Sequence, residues 1–178
     1  NTSEIISRTV QAEIYDLNGV NNTNNPPKIY FRKKSYQNVF IDNSPGTDGW
    51  KYTIGIGSGS HYTFTIDYNL INGGVEAGEE IEYFMVAQDN SPLSLVGTTS
   101  GIFSEAVTST TLSSANFPVA SVEHSYRISV PFAGIIDVGV GKMYTSLTNV
   151  GGVFEAINAG ILVGNLQIRI TSNLNESG

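Results

Sequence analysis

"EIEYFMVAQDN", residues 80–90, decides the fold. Ile81, Tyr83, Met85 and Ala87 alternate with Phe84 and Val86, so both faces of an extended chain are apolar, and the charges stand only at the two ends. Such a run suits a central strand with a neighbour on each side and cover over most of its length. Asp89 then turns the chain at its end, through an Asx-turn or around a cation.

Other strands flank this one. In "TVQAEIYDL" (9–17) Val10, Ala12 and Ile14 share one face and Thr9, Gln11 and Glu13 the other, a half-buried strand that ends at the turn Asn18-Gly19. The tract "NNTNNPP" (21–27) is a loop, because Asn side chains compete for backbone hydrogen bonds and Pro26-Pro27 cannot donate to a ladder. "KIYFRKK" (28–34) resumes a strand, and "VFIDNSPGTDGWKYTIGI" (39–56) reads as a hairpin with Trp50 opening its second arm. "HYTFTIDY" (61–68) alternates aromatics with threonine, and "LINGGVEAGEE" (70–80) is a linker that tucks Leu70, Ile71 and Val75 under the sheet. "LVGTTSGIF" (95–103) gives one more strand, "SEAVTSTTLSSANFPVAS" (104–121) a low-charge connector, and "EHSYRISV" (123–130) a last strand.

From Gly134 the pattern changes to strand, turn, a short helix carrying Val153, Phe154 and Ile157, and a strand in which Leu166, Ile168 and Ile170 alternate with Gln167, Arg169 and Thr171. One strand-helix-strand segment cannot enclose that apolar set. Residues 134–178 are therefore expected either to pack on the preceding domain or to present "NLQIRITS" (165–172) to another copy of the chain.

Composition agrees with an all-β chain: 178 residues hold 40 % apolar and only 14 % charged residues, with 19 glycines. A net charge of −7 repels a phosphate backbone, and Arg32-Lys33-Lys34, the one basic cluster, reads as a solvated strand end, so nucleic acid is not an expected partner. The absence of cysteine removes disulfide, thiolate-metal and thiol-nucleophile chemistry. No run approaches the ~18 apolar residues of a membrane helix, so no membrane insertion is expected. The start "NTSEIISRTV" has neither an initiator Met nor a signal-type apolar core, and the chain reads as a mature or excised fragment.

The order "PPKIYFRK", "GWKYTI", "YTFTIDY", "AGEEIEYFMVAQDN" resembles the immunoglobulin-like and fibronectin-type-III-like modules of large proteins that Bacteroidota-type bacteria export to their surface. It covers roughly residues 8–128 and rests on a Tyr-apolar-Val-Ala-Gln-Asp strand after an Ala-Gly-acid turn. "YTSLTNVGGVFEAINAGILVGNLQIRITSNLNESG" (144–178) looks like the opening of a parallel β-helix, distantly like the start of pectate-lyase-like solenoids. These resemblances imply an antiparallel β-sandwich over 1–130, a β-helix-cap-like segment over 131–178, and a place outside the cell, secreted or on a bacterial surface. The catalytic residues of such lyases lie on later coils, so none carries over.

Candidate chemistry is sparse. His61 and His124 stand in no metal or triad motif, and the serines lack a nucleophile elbow. The glycines of "GIGSGS" (55–60) and "VGVGKMY" (138–144) miss phosphate-loop spacing, and Glu79, Glu80 and Glu82 show no glycosidase-like pairing. "DNSPGTDG" brings Asp42 and Asp48 into one turn with further oxygen donors, so calcium is the one cofactor these residues could hold, against Asx-turns that close a hairpin. Trp50, Tyr52, Tyr62 and Tyr68 could stack on sugar rings if their faces are open, whereas strand aromatics otherwise belong to the core. The expected role is therefore non-catalytic: a structural or adhesive module whose partners are neighbouring domains of its own polypeptide, surface glycans or a second copy. The alternative is an accessory carbohydrate-binding module of a secreted polysaccharide-degrading enzyme whose β-helix follows Gly178.

Overall fold

A computed structural model describes residues 5–177 of the chain. The chain divides into two compact units, Ile5–Arg127 and the residues from Ile128 on. Strands dominate, and α1 (Val153–Ala159) is the α-helix among the described residues, so the protein is all-β in class.

The first unit is built on two sheets in a sandwich-like arrangement. β1 (Arg8–Glu13), β5 (His61–Ile66) and β4 (Ile56–Ser58) form an antiparallel sheet in the order β1-β5-β4. β10 (His124–Arg127), β6 (Glu80–Gln88), β2 (Lys28–Lys33) and β3 (Lys51–Ile54) follow one another in the second sheet, and β7 (Val96–Thr98) extends β6 beyond β10. The strand through "EIEYFMVAQDN" is central, as its two apolar faces require: Ile81, Phe84 and Val86 are wholly buried, and β2 lies along one side with β10 and β7 along the other.

β3 and β4 are one stretch of chain that leaves the second sheet and enters the first at Gly55. A Cβ on Gly55 would stand 2.5 Å from the Phe64 ring, so the crossing needs a residue without a side chain. On one side of the second sheet, Ile29 and Phe31 of β2 are buried together with Tyr62, Phe64 and Ile66 of β5, the inward half of an alternating strand.

The other side carries an aromatic core that the sequence pattern does not announce. Tyr30, Trp50, Phe84 and Val86 form one buried cluster with Leu112, Phe117 and Val119, three residues of the stretch expected to be a mere connector. Tyr30 stacks on Phe84 at 5.3 Å, and Trp50 meets Phe84 edge-on at 4.9 Å. The connector is held down by polar anchors: Tyr30 Oη donates to the Thr110 carbonyl and accepts from the Leu112 N–H, and Asn38 Nδ2 donates to the Val119 carbonyl. With both faces covered, all six residues of β2 are buried.

Two expectations need correction here. Residues 39–41 make no ladder with β3, so 39–56 is not a hairpin; the Asn43 side chain donates to the Tyr52 carbonyl and accepts its N–H, standing in for a strand along the β3 edge. The stretch 95–103 holds two short strands, β7 and β8 (Ile102–Phe103), and β8 pairs with β9 (Val119–Ala120) in the connector.

In the second unit β11 (Pro131–Val138) and β12 (Ile161–Ile170) pair in parallel, with α1 in the connection between them and a register shift between Phe132 and Gly134. Asp137 and Arg169 are opposite each other on this ladder and form a bidentate pair at 2.7 and 3.0 Å. Leu166 and Ile168 are half-buried, while Ile170 is exposed. Val153 is the buried residue of the helix, and Phe154 is exposed.

Candidate functional site

The turn with Asp42 and Asp48 carries its own cation. Lys51 is buried on β3, and its ammonium donates to the Asp42 carbonyl at 3.0 Å and to Thr47 Oγ1 at 2.6 Å, with Asp42 Oδ1 at 3.9 Å. Asp42 Oδ1 accepts from the Ser44 N–H and the Thr47 hydroxyl, and these bonds hold its carboxyl down to about 2. Asp48 Oδ1 accepts instead from Asn72 Nδ2. The oxygens that could hold calcium thus have partners of their own: those of Asp42 serve Lys51 and an Asx-turn, and Asp48 Oδ1 serves Asn72. Among the described residues no three His, Asp or Glu side chains gather as metal ligands. Saturating calcium is accordingly expected to leave the melting temperature unchanged; a ligand of the native state would raise stability by about 2.7 kcal/mol at a hundredfold excess over its dissociation constant, and such a rise, reversed by chelator, would restore the site.

The four aromatic residues that could stack on sugars are mostly core. Trp50, Tyr62 and Tyr68 are buried, and Trp50 Nε1 donates to Asn38 Oδ1, Tyr62 Oη to Asn22 Oδ1. Tyr68 Oη shares a hydrogen bond with Tyr126 Oη at 2.8 Å. Tyr52 is half-buried beside Tyr30, Phe40 and the Lys28 ammonium, 4.8 Å from its ring centre. Three of the four are thus packed in the core, and Tyr52 alone keeps part of its surface open.

The basic triplet is likewise not a solvated strand end. Antiparallel pairing of β2 with β6 sets each cation on an acid: Arg32 on Glu82 at 2.9 Å, Lys33 on Glu79 at 2.8 Å and Lys34 on Glu80 at 2.9 Å. Arg32 and Lys33 are buried, and the Arg32 guanidinium lies 5.1 Å from the Trp50 ring centre. Each cation of the triplet is thus matched by an acid.

One hydrogen-bonded series resembles a nucleophile and its base. Ser60 Oγ lies 3.2 Å from His61 Nδ1, and His61 Nε2 lies 3.1 Å from Glu13 Oε1 across the β1/β5 ladder. The His61 and Glu13 side chains are 80 % and 74 % exposed, so water competes for each contact.

In the second unit Glu176 is gripped by the loop before α1. Its carboxylate accepts from Ser146 Oγ, Thr148 Oγ1 and the N–H groups of Leu147 and Thr148, at 2.6 to 3.0 Å. These donors, led by Ser146, lower its carboxyl from 4.5 to about 2. A depressed carboxyl contributes stability fully above its unfolded value and loses it as pH falls through the folded one. The Leu147 and Thr148 amide resonances are therefore expected to shift together between pH 4.5 and about 2, and to lose that titration in Glu176→Gln; a midpoint at an ordinary carboxylate value would refute the grip.

A feature the sequence reading missed lies where the outer strands of the two sheets come near each other. Two adjoining hollows of about 270 and 280 Å3 share Ile14, Tyr15, Ala87 and Gly97. Asp16, Gln88, Asp89 and Leu95 line one; Glu13, Met85, Thr98 and Thr99 line the other. Tyr15 is 78 % exposed between them, and Leu17, Leu93 and Leu95 are exposed on the same loops. The loops are tied through the Asn90 N–H to the Gly19 carbonyl and the Asn21 N–H to the Gln88 carbonyl. Asp16 Oδ1 accepts from the Asn18 N–H and Asp89 Oδ1 from the Leu95 N–H, which fixes both carboxylates. Only the position of Tyr15, one residue past the regular alternation of β1, hinted at it.

No family model, curated protein or solved structure matches this chain. No helix among the described residues is long and apolar enough to cross a membrane.

Proposed function

We propose that this chain is a non-catalytic structural or adhesive module of a large extracellular bacterial surface protein, spacing or presenting other domains. The observation that carries it is the pairing of acids and bases along β2 and β6, with Arg32–Glu82 buried, over a doubly covered sheet: this favours a scaffold, and the exposed Ser60-His61-Glu13 series stands apart from it. The strand order supports an immunoglobulin-like or fibronectin-III-like sandwich: β2 lies between β3 and β6, while β4 and β5 belong to the opposite sheet. The outer edge of β12, unpaired in its two-stranded sheet, would meet a neighbouring domain or a second copy through residues 165–172.

A second reading is an accessory carbohydrate-binding module of a secreted polysaccharide-degrading enzyme; the parallel β11-α1-β12 unit favours it, because a solenoid coil starts with parallel pairing. Two measurements test the leading proposal. Stretched between handles, the chain should unfold in discrete cooperative events, as a load-bearing spacer must. Offered chromogenic esters, glycosides and phosphoesters, it should give no turnover that Ser60→Ala abolishes. Gradual extension at negligible force, or turnover lost with Ser60, would overturn it.

A further inference from the structure

We infer that the twin hollows around Tyr15 form a binding site for a neutral oligosaccharide, two consecutive sugar rings lying one on each side of the tyrosine. This rests on the adhesive half of the proposal above and names what the module would adhere to.

The chemistry of the walls selects the ligand. Ile14, Ala87, Gly97 and Met85 make an apolar floor, and the exposed Tyr15 ring offers a flat face beside it. The polar rim is rich in acceptors: Glu13, Asp16 and Asp89 are carboxylates, and no Lys or Arg lines either hollow. A pyranose has a face of C–H groups to lay on a tyrosine and a rim of hydroxyl donors for carboxylates. A uronate or sulfated sugar would bring its own charge against three acids, and a purely apolar peptide would leave the acceptors unmatched. The two hollows have nearly equal volumes and share one wall, which suits a repeating ligand better than a single compact one.

The site stands on secondary structure on both sides. β1 delivers Glu13 and the two residues after it, while β6 and β7, hydrogen-bonded from Val86 to Gln88, deliver the floor. Ser94, in the loop that completes the wall, holds φ at +51°, a left-handed conformation unfavourable for a residue with a Cβ.

The test is a glycan array followed by calorimetric titration of the whole chain with neutral gluco-, manno- and xylo-oligosaccharides, with oligogalacturonate and an oligolysine peptide as charged comparators. At least one neutral series should bind, with oligogalacturonate weaker. Tyr15→Ala, a change at an exposed position, should weaken binding about tenfold with an unchanged melting temperature. Met143→Ala, in the other unit, should bind as the parent does. Tyr15→Phe keeps the stacking face and should retain most of the affinity. The inference is overturned if no neutral oligosaccharide binds at millimolar concentration, if Tyr15→Ala binds as well as the parent, or if the charged comparators bind better than every neutral sugar. Absence of sugar binding in a chain that still bears load and turns nothing over would remove this site and leave the spacer proposal standing; Ser60-dependent turnover would remove the latter whatever the sugars do.

Discussion

Glu82→Ala is expected to cost about 3–5 kcal/mol of unfolding free energy, the loss that follows when one member of a buried ion pair is removed. Glu82 and Arg32 stand opposite each other on β6 and β2, with side chains 12 % and 9 % exposed and 2.9 Å between Oε2 and Nη2. Without Glu82 the guanidinium keeps one strong acceptor, the Tyr36 carbonyl, while its Nε is already buried without a partner. It cannot swing into water without leaving the Trp50 ring. Glu80→Ala provides the internal comparison: Lys34 is half-exposed and water screens that pair, so its loss should cost far less. Urea titration followed by Trp50 fluorescence would measure both. Replacing both partners, Arg32→Met with Glu82→Leu, should recover most of the loss, because no charge is then left buried. Equal costs for Glu80→Ala and Glu82→Ala would show that burial does not govern the pair.

The same pair marks how much a sequence can say. β6 was legible because a strand covered on both faces must be apolar on both, and few other elements need that. Its acids and the bases of β2 were visible too, but as separate clusters; only the antiparallel register that sets Arg32 opposite Glu82 turns two surface-like patches into internal pairs. Asp42 and Asp48 looked like ligands for the same reason. Their turn was read correctly as oxygen-rich, and the cation that answers it, Lys51, comes from the next strand, where a lone lysine carries no pattern.

The connector was illegible for a different reason. Leu112, Phe117 and Val119 have neither strand nor helix spacing among the serines and threonines around them, so no period marks them as core. They are buried because the far side of the second sheet needs a cover, a demand that arises in tertiary packing alone. The burial of Trp50 follows from it: the ring is enclosed by Phe84, Phe117 and Arg32. Tyr15, just past the end of β1, is an aromatic left in the open.

That cover leads to the second large effect. Phe84→Ala should destabilise the chain by about 3–5 kcal/mol, because a wholly buried ring is lost and the rigid aromatics around it cannot close the space. Phe84 lies 5.3 Å from Tyr30, 4.9 Å from Trp50 and 5.3 Å from Phe103, so the cavity would open at the centre of the cluster. Phe117→Ala discriminates more sharply between a cover and a loop. If residues 104–121 only linked two strands, removing this ring would change stability by about 0.5 kcal/mol or less. As a lid whose ring lies 5.8 Å from Phe40 and 6.0 Å from Trp50, it should cost several times that and shift Trp50 emission to the red as water reaches the indole. Should Phe117→Ala leave both the urea midpoint and the emission unchanged while Phe84→Ala unfolds the chain, the cluster is held by the sheet alone and the connector does not act as its cover.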